Sequence, residues 1–373
     1  MKKSILALTV LISLCTASCS LKYRRDKLAE NFIPQIVFSQ AVLNRYENNK
    51  KSLALKTVKF EQYDKSNTVF AQDCDFVLFD EEGKEISTGA CALLSADSDS
   101  EIYTFYDGIS FDNKKQGIAI KGSTIKWNGK TQQLVSAKNS QLTLKKDDFE
   151  VTGKNFSASS VSNTFQFSQG VKGQQILTQA SSSAEQITFS ADSMSGHVSS
   201  KSDAGNNTVL SGHAYVKTKT MEIHADSIEL SGKDFRYVKA NGNIKGVNTE
   251  SQLEFEASSL EYDREVKIVT LSGDVMLKDI KNAVTAKAQI IEYNQATDVA
   301  VMQVGVELTQ KNNKCSGAYA LYRKKEQTLE LAGNAKVAQG TDTFRAQSIS
   351  FNLETEQIVL DGNVRGTVKN GGN

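Results

Sequence analysis

Residues that could carry acid–base or metal chemistry are few in this 373-residue chain. His213 and His224 lie eleven residues apart and have no third candidate ligand near them in sequence, so the pattern predicts no metal centre. No glycine-rich loop precedes a helical segment, which argues against nucleotide binding. Several carboxylates alternate along one stretch, as expected for the solvated face of a strand: Glu254, Glu256, Glu261 and Asp263. The sequence therefore predicts neither an enzyme nor a bound cofactor.

The N-terminal cysteine Cys19 has the context of a processing site. It follows a basic start, a short apolar stretch at 5–15 and three small residues, a pattern that resembles a bacterial lipoprotein signal. We expect residues 1–19 to be a targeting segment, Cys19 to be lipidated and residues 20–33 to be a polar tether. An ordinary signal peptide or a short uncleaved anchor also fits. We therefore expect a periplasmic protein anchored to a membrane, with the inner membrane favoured.

Cys74 and Cys91 are candidates for a disulfide bond. If Glu82 and Gly83 form a two-residue turn, the numbers of opposed residues add up to 165, which places Cys74 opposite Cys91. Opposed strand residues have Cα atoms about 4.5–5.5 Å apart, within the range of a disulfide. A bulged turn would shift this register by one residue.

The composition of the chain excludes several classes of protein. The 44 basic and 43 acidic residues give a net charge of +1, which argues against a nucleic-acid binder. A single proline argues against a proline-rich disordered chain. The mean hydropathy is −0.37, and no apolar run of 18 residues follows the first twenty, so a polytopic membrane protein is excluded.

One pattern recurs along the whole chain: an apolar residue, a small residue two positions later, and apolar or aromatic residues three and five positions after the small one. A clear copy is Phe255, Ala257, Leu260 and Tyr262. The spacing averages about 32 residues, typical of a repeat protein. This third position of the pattern falls at Leu55, Gly89, Gly122, Gly153, Ala191, Ala225, Ala257, Ala288, Gly317 and Ala346, and the copies at Leu55 and Gly89 fit the pattern least well.

A second strand with alternating apolar residues lies between these copies, and a glycine stands at its centre. Strict alternation predicts antiparallel strands with one apolar face, and the central glycine predicts a bulge or bend at a fixed level. We expect an all-β fold, an open twisted jelly roll in which two sheets face each other like a V. The central position holds Gly212, Gly242, Gly273, Gly333 and Gly362, and Val304 replaces glycine in one copy.

The repeat is interrupted once, which predicts two similar modules in tandem. The spacing from Gly153 to Ala191 is longer than the others, and the segment 166–186 is rich in serine, glutamine and glycine. We therefore expect a first domain at 34–166 and a second at 186–369.

These residues resemble two families of lipopolysaccharide export. Gly333-Asn334-Ala335, Gly362-Asn363-Val364 and residues 344–347 resemble the OstA/LptA repeat, whereas residues 76–83 and Val151-Thr152-Gly153 resemble LptC. The resemblance implies a twisted β-jelly roll open along one side, and carriage of lipopolysaccharide from the inner to the outer membrane. As partners it implies an inner-membrane ABC-type export transporter and an outer-membrane Lpt-type assembly protein.

An apolar interior shared by successive repeats indicates a groove for acyl chains of lipopolysaccharide or another glycolipid. A fully packed sandwich is the alternative arrangement. The alternative function is a structural envelope lipoprotein that scaffolds partners through its sheet edges, and unpaired end strands also predict edge-to-edge self-association. The predicted lining residues are Ile120, Trp127, Ile223, Ala225, Ile244, Phe255, Ala257, Val275, Ala288, Val306, Leu308, Ala346 and Val364.

Overall fold

A computed structural model describes residues 33–63, 67–115, 117–177, 185–197 and 206–368. These ranges contain 24 strands and one short 3-10 turn at Lys233–Phe235. All of the strand pairs are antiparallel, so the prediction of an all-β antiparallel fold is confirmed. Within the same ranges, no helix has the length and apolarity needed to cross a membrane. Residues 1–32, with the predicted signal, Cys19 and nearly all of the tether, lie outside the described residues.

The described strands fall into two compact units, which divide at 186/187 and exchange a short piece at 187–197. The first unit contains β1 (Ile36–Glu47), β2 (Lys50–Tyr63), β3 (Thr68–Phe79), β4 (Glu85–Asp97), β5 (Ile102–Asn113), β6 (Ile118–Asn128), β7 (Gln133–Ser136), β8 (Gln141–Lys146), β9 (Phe149–Ser159), β10 (Thr164–Leu177) and β12 (Ser193–His197).

The second unit begins with the end of β11 (Glu185–Ala191). Its other strands are β13 (Asn207–Lys217), β14 (Met221–Ser231), β15 (Tyr237–Asn248), β16 (Leu253–Asp263), β17 (Ile268–Asp279), β18 (Val284–Asn294), β19 (Val299–Gln310), β20 (Asn313–Arg323), β21 (Thr328–Gln339), β22 (Asp342–Asn352), β23 (Ile358–Asp361) and β24 (Arg365–Thr367).

The first unit extends past residue 166, where the composition placed the end of its domain. β10 continues to Leu177 and pairs with β9 through Gln175. Phe167 and Val171 are buried in this segment, at 0% and 1% exposure. These two buried apolar side chains therefore hold β10 in the sheet, although the polar composition of the segment had predicted a linker.

Strands of the second unit change register near their middle. On β17, Ser272 pairs with Ile290 and Val275 pairs with Ala288, so that Gly273 and Asp274 oppose a single residue. Both residues have a left-handed backbone, with φ of 79° and 48°. The predicted bulge at a fixed level is therefore confirmed. Equivalent left-handed pairs are Gly212-His213, Gly242-Asn243, Val304-Gly305, Gly333-Asn334 and Gly362-Asn363.

The bulge keeps the apolar face of a strand directed inward on both sides of the bend. Leu271 precedes the bulge of β17, Val275 and Leu277 follow it, and all three are buried. The described elements include no helical layer that could cover this face. We therefore infer that the two halves of each strand cover one another and enclose the interior of the unit.

Candidate functional site

The predicted lining residues lie almost entirely in the closed interior. Ile120 is half-buried. Val364 was predicted to point inward, but it lies in the break between β23 and β24, outside the strand ladder, and is 51% exposed. The other eleven are at most 9% exposed: Trp127, Ile223, Ala225, Ile244, Phe255, Ala257, Val275, Ala288, Val306, Leu308 and Ala346.

Residual exposure within this interior is uneven along the second unit. Phe255 and Ala257 keep 8% and 9%, whereas Val306 and Leu308 keep 1% and 0%. Ala257 is the small residue of the repeat pattern and lies where the β16–β17 register shifts. Solvent thus reaches these two positions of β16 more than the two positions of β19.

The outer side of the bend carries polar side chains that hold neighbouring bulges together. Asn243 Nδ2 donates to Asp226 Oδ2 at 2.9 Å. At the next bulge, one repeat further on, Gln289 Nε2 donates to Asp274 Oδ1 at 2.8 Å. These hydrogen bonds join adjacent strands where the ladder is interrupted, so they reinforce the bend.

The hairpin turns of the second unit form two rows, because each strand reverses the chain. We call the turns that follow β14, β16, β18, β20 and β22 the tyrosine lip, and those that follow β13, β15, β17, β19 and β21 the aspartate lip. Within a lip, backbone hydrogen bonds link successive turns. Lys324 N donates to Asp298 O at 2.9 Å, and Ile280 N donates to Gln252 O at 2.9 Å.

The tyrosine lip takes its name from the last position of the repeat pattern. Tyr262 Oη donates to Gln295 Oε1 at 3.0 Å, and Tyr293 Oη donates to Asp298 Oδ1 at 2.5 Å. Burial, followed by the hydrogen bond to Asp298, raises the pKa of Tyr293 above its ordinary value. The sequence pattern identified these positions as apolar or aromatic but gave no role to the hydroxyl groups.

Tyr322 continues the same row. Its Oη accepts a hydrogen bond from Gln327 Nε2 at 3.1 Å. Burial is the main cause that raises the pKa of Tyr322 to about 12, and the charge of Asp279 on the aspartate lip adds to it. A side-chain hydrogen bond with Asp279 raises the pKa of Tyr322 further, whereas those with Gln327 and Asn282 lower it, so Tyr322 faces the opposite lip.

The aspartate lip presents buried polar groups to the interior. Asp279 is 1% exposed, Asn313 is 3% and Gln310 is 6%. Asn282 Nδ2 donates to Asp279 Oδ2 at 2.8 Å, and Gln310 Nε2 donates to Asn282 O at 3.1 Å. Polar residues at these strand ends were not singled out from the sequence, because a turn aspartate or asparagine ordinarily lies in solvent.

Lys324 links the two lips. Its Nζ lies 3.4 Å from Asp279 Oδ2 and donates to Ser251 O at 2.7 Å, although Lys324 is on the tyrosine lip and its partners are on the aspartate lip. The Lys324 side chain is 13% exposed and that of Asp279 is fully buried. A second contact between the lips joins Lys311 Nζ to Glu356 Oε1 at 3.3 Å, with both side chains exposed.

Cys74 and Cys91 are directly opposed on β3 and β4, as the sequence predicted. The turn differs from the prediction: Asp80 N donates to Lys84 O, and Phe79 pairs with Glu85 instead of Ile86. The register shifts only beyond Leu78, so the cysteines remain opposed. Both are buried free thiols. Their mutual hydrogen bond lowers the pKa of Cys74 and raises that of Cys91.

The alternating carboxylates form cross-strand ion pairs at the surface. Glu256 Oε1 lies 3.7 Å from Lys245 Nζ, and Glu254 Oε2 lies 3.8 Å from Lys278 Nζ. Glu261 and Asp263 are paired with Lys239 and Arg236 in the same way. In the described ranges, no three side chains of His, Cys, Asp or Glu are arranged to hold a metal ion.

Comparisons with known proteins concern the second unit above all. Residues 192–299 and 287–357 match the family model described as LptA/(LptD N-terminal domain) LPS transport protein. A structural comparison retrieves LptH of Pseudomonas aeruginosa, described as the LptA-homologous periplasmic component of the lipopolysaccharide transport device. It has 13% identity and a TM-score of 0.15, and covers 49% of this chain and 95% of LptH. A comparison with curated proteins gave no significant match. Residues 192–357, somewhat less than half of the chain, are thus similar to the LptA/LptD N-terminal domain family of lipopolysaccharide transport proteins.

Proposed function

We propose that this protein is a periplasmic carrier that shields the acyl chains of lipopolysaccharide, or of a related glycolipid, on the way from the inner to the outer membrane. The observation that supports it most is the apolar interior of the second unit, which lies in the part of the chain that matches the family model. Enclosure of one chain of twelve to fourteen carbons is worth about 10 kcal/mol, at about 0.8 kcal/mol per methylene.

The interior around β14 and β16 is the part best suited to receive the first acyl chain. Ile223, Phe255 and Ala257 retain 8–9% exposure there. Aliphatic and aromatic walls select by length and volume and recognise no particular head group, so any glycolipid with such chains is a candidate. The lining residues named from the sequence, without the exposed Val364, thus stay our proposed binding residues.

The exposed end strands support docking of neighbouring components. β1 pairs with β2 and exposes Val37, Phe38, Val42 and Tyr46, each by 47–63%. At the other end, Val359 and Val368 are 55% and 62% exposed. Such edges recruit a further strand or aggregate. We assign the first edge to an inner-membrane ABC-type transporter and the last to an outer-membrane Lpt-type assembly protein or to a second copy.

In this proposal the first unit acts as an LptC-like module. Cys19 or the N-terminal segment acts as the membrane anchor. An external transporter is required because a passive interior has no energy source of its own. The alternative, a structural envelope lipoprotein that only scaffolds partners, is favoured by the closed state of the interior. Lipid capture separates the two.

Site-specific photocrosslinking tests the proposal. A benzoylphenylalanine at Phe255 or Ala257, directed inward, should crosslink purified lipopolysaccharide. The same group at Glu256, which is exposed on the same strand, should not. Equal labelling of both faces, or no labelling of either, would favour the scaffold over the carrier.

A further inference from the structure

The seam between the two lips differs from the bend at the other side of the interior. At the bend the chain itself is continuous, and the inward residues are small and apolar. Across the seam, the contacts shown by the described residues are side-chain contacts: Lys324 to Asp279 and Ser251, Lys311 to Glu356, and Tyr322 to Asp279. The two lips are therefore free to separate without the loss of a strand pair.

Some buried polar atoms at the closed seam also lack hydrogen-bond partners. Four side-chain atoms at the lips are buried and make no hydrogen bond within the protein: Ser251 Oγ, Gln310 Oε1, Asn313 Oδ1 and Thr328 Oγ1. A buried polar atom without a partner destabilises the closed state. Solvent or a lipid head group at an open seam would give these atoms partners, so the polar contacts that hold the seam itself are the ion pairs that cross it.

We propose that the seam is a lateral gate, in which Lys324 is the latch and acyl chains enter sideways between the lips. This inference rests on the proposed function, and it specifies the route by which the interior is loaded. Entry through the end of the unit is the competing route, since it would leave the lips together throughout.

Lys324 fits the role of a latch because one side chain holds two turns of the opposite lip. Its ammonium group contacts Asp279 in the turn after β17 and the carbonyl of Ser251 in the turn after β15. Release of this single group removes both contacts at once. Lys311 and Glu356 make an outer contact whose exposed partners are readily exchanged for water.

A reducible bridge between the lips tests the gate. In a background with Cys15→Ser and Cys19→Ser, the pair Lys311→Cys and Glu356→Cys is joined by a disulfide-containing bismaleimide, and capture of lipopolysaccharide by benzoylphenylalanine at Ala257 is timed. Both positions are exposed, so we expect folding to be unaffected. The bridge should slow capture at least tenfold, and reduction of the linker should restore the rate.

The matched control bridges two positions on one lip. Arg236 and Asp263 form an ion pair at 2.7 Å and both lie on the tyrosine lip, so Arg236→Cys with Asp263→Cys should leave the rate unchanged. Equal capture with and without the bridge between the lips, or equal slowing by both bridges, would overturn the gate. Absence of capture in the unbridged protein would instead contradict the carrier function.

A variant of the latch provides an independent readout. Lys324→Met removes the charge that crosses the seam and should speed capture severalfold, whereas Lys324→Arg keeps a cation there and should have a smaller effect. Circular dichroism confirms that each variant is folded. An unchanged rate for folded Lys324→Met would overturn the role of Lys324.

Discussion

Cys74 on β3 and Cys91 on β4 are directly opposed residues of an antiparallel pair, and both are buried thiols. The interaction with the Cys91 side chain lowers the pKa of Cys74, which makes Cys74 the thiolate that attacks during oxidation. The pair is therefore arranged for a disulfide bond across two neighbouring strands.

We expect an oxidised glutathione buffer to convert this pair to a disulfide that stabilises the protein by about 3 kcal/mol, from the size of the loop it closes. Thiol titration in denaturant, on the variant lacking Cys15 and Cys19, should then find Cys315 alone. Three thiols after full oxidation would contradict the prediction. Burial raises the pKa of Cys315 to about 12, so Cys315 should react slowly in the native state.

Val304 occupies a bulge position that holds glycine in the other copies of the second unit, and its φ is 63°. A β-branched residue in the left-handed region is strained by about 1–2 kcal/mol, and the side chain is 58% exposed, so little packing is lost with it. Val304→Gly should raise the free energy of unfolding by about 1 kcal/mol in urea titrations. Val359→Gly, at a similarly exposed strand valine without positive φ, should lower it.

Gly273 has a φ of 79°, and a Cβ there would lie 2.7 Å from Ser258 Cβ. Gly273→Ala should therefore destabilise the protein by about 2 kcal/mol or more, through backbone strain together with a clash. Gly83 is the matched control, because its φ is 80° but its Cβ would meet no atom within 4 Å. Gly83→Ala should cost about 1 kcal/mol, and equal losses would show that the close approach at Gly273 has no effect.

Asp279 and Lys324 should be strongly coupled in stability. Lys324→Met alone leaves the buried Asp279 carboxylate without its cation and should cost about 3 kcal/mol. The double variant Asp279→Leu with Lys324→Met removes both charges and should recover most of that loss. A double-mutant cycle of urea midpoints measures the coupling, and additive losses would contradict it.

Tyr322 should make stability depend on alkaline pH. Its pKa rises from 10 in the unfolded chain to about 12 in the folded one, mainly through burial. The folded state therefore holds this proton more tightly, and the stabilisation is complete below pH 10 and is lost as the pH rises through 12. Tyr322→Phe should flatten the decline in thermal stability between pH 10 and 12, and an unchanged slope would exclude Tyr322 as its cause.

The bend was predictable from sequence because it depends on local chemistry. A small residue such as Ala257 and a glycine such as Gly273 recur at fixed positions. The glycine is favoured because the backbone at its position has a positive φ. The opposed cysteines were also predictable, although the turn was not, since the register shift falls beyond Leu78. A wrongly predicted turn therefore did not change the predicted pairing of the residues further along the two strands.

The seam was not predictable, because no local signal marks it. Lys324 and Asp279 are 45 residues apart and each stands in a polar turn that looks like ordinary loop sequence. Their contact depends on the twist that brings one row of turns over the other. Val364 shows the converse case: its place in the repeat predicts an inward position, but the ladder breaks between β23 and β24 and leaves the side chain exposed.

The same pair of left-handed residues recurs in successive repeats of the second unit. The length of the enclosed interior can therefore change without a change in its cross-section. Each repeat adds two strands about 4.8 Å apart, so one repeat lengthens the enclosed interior by about 10 Å and leaves the bend and both lips as they were. Deletion of residues 257–287 would place Ala288 directly after Glu256, in the position that Ala257 occupies in its own repeat. The number of repeats thus sets the length of the interior. Duplication of a repeat would lengthen a protein of this kind to match the distance that it spans.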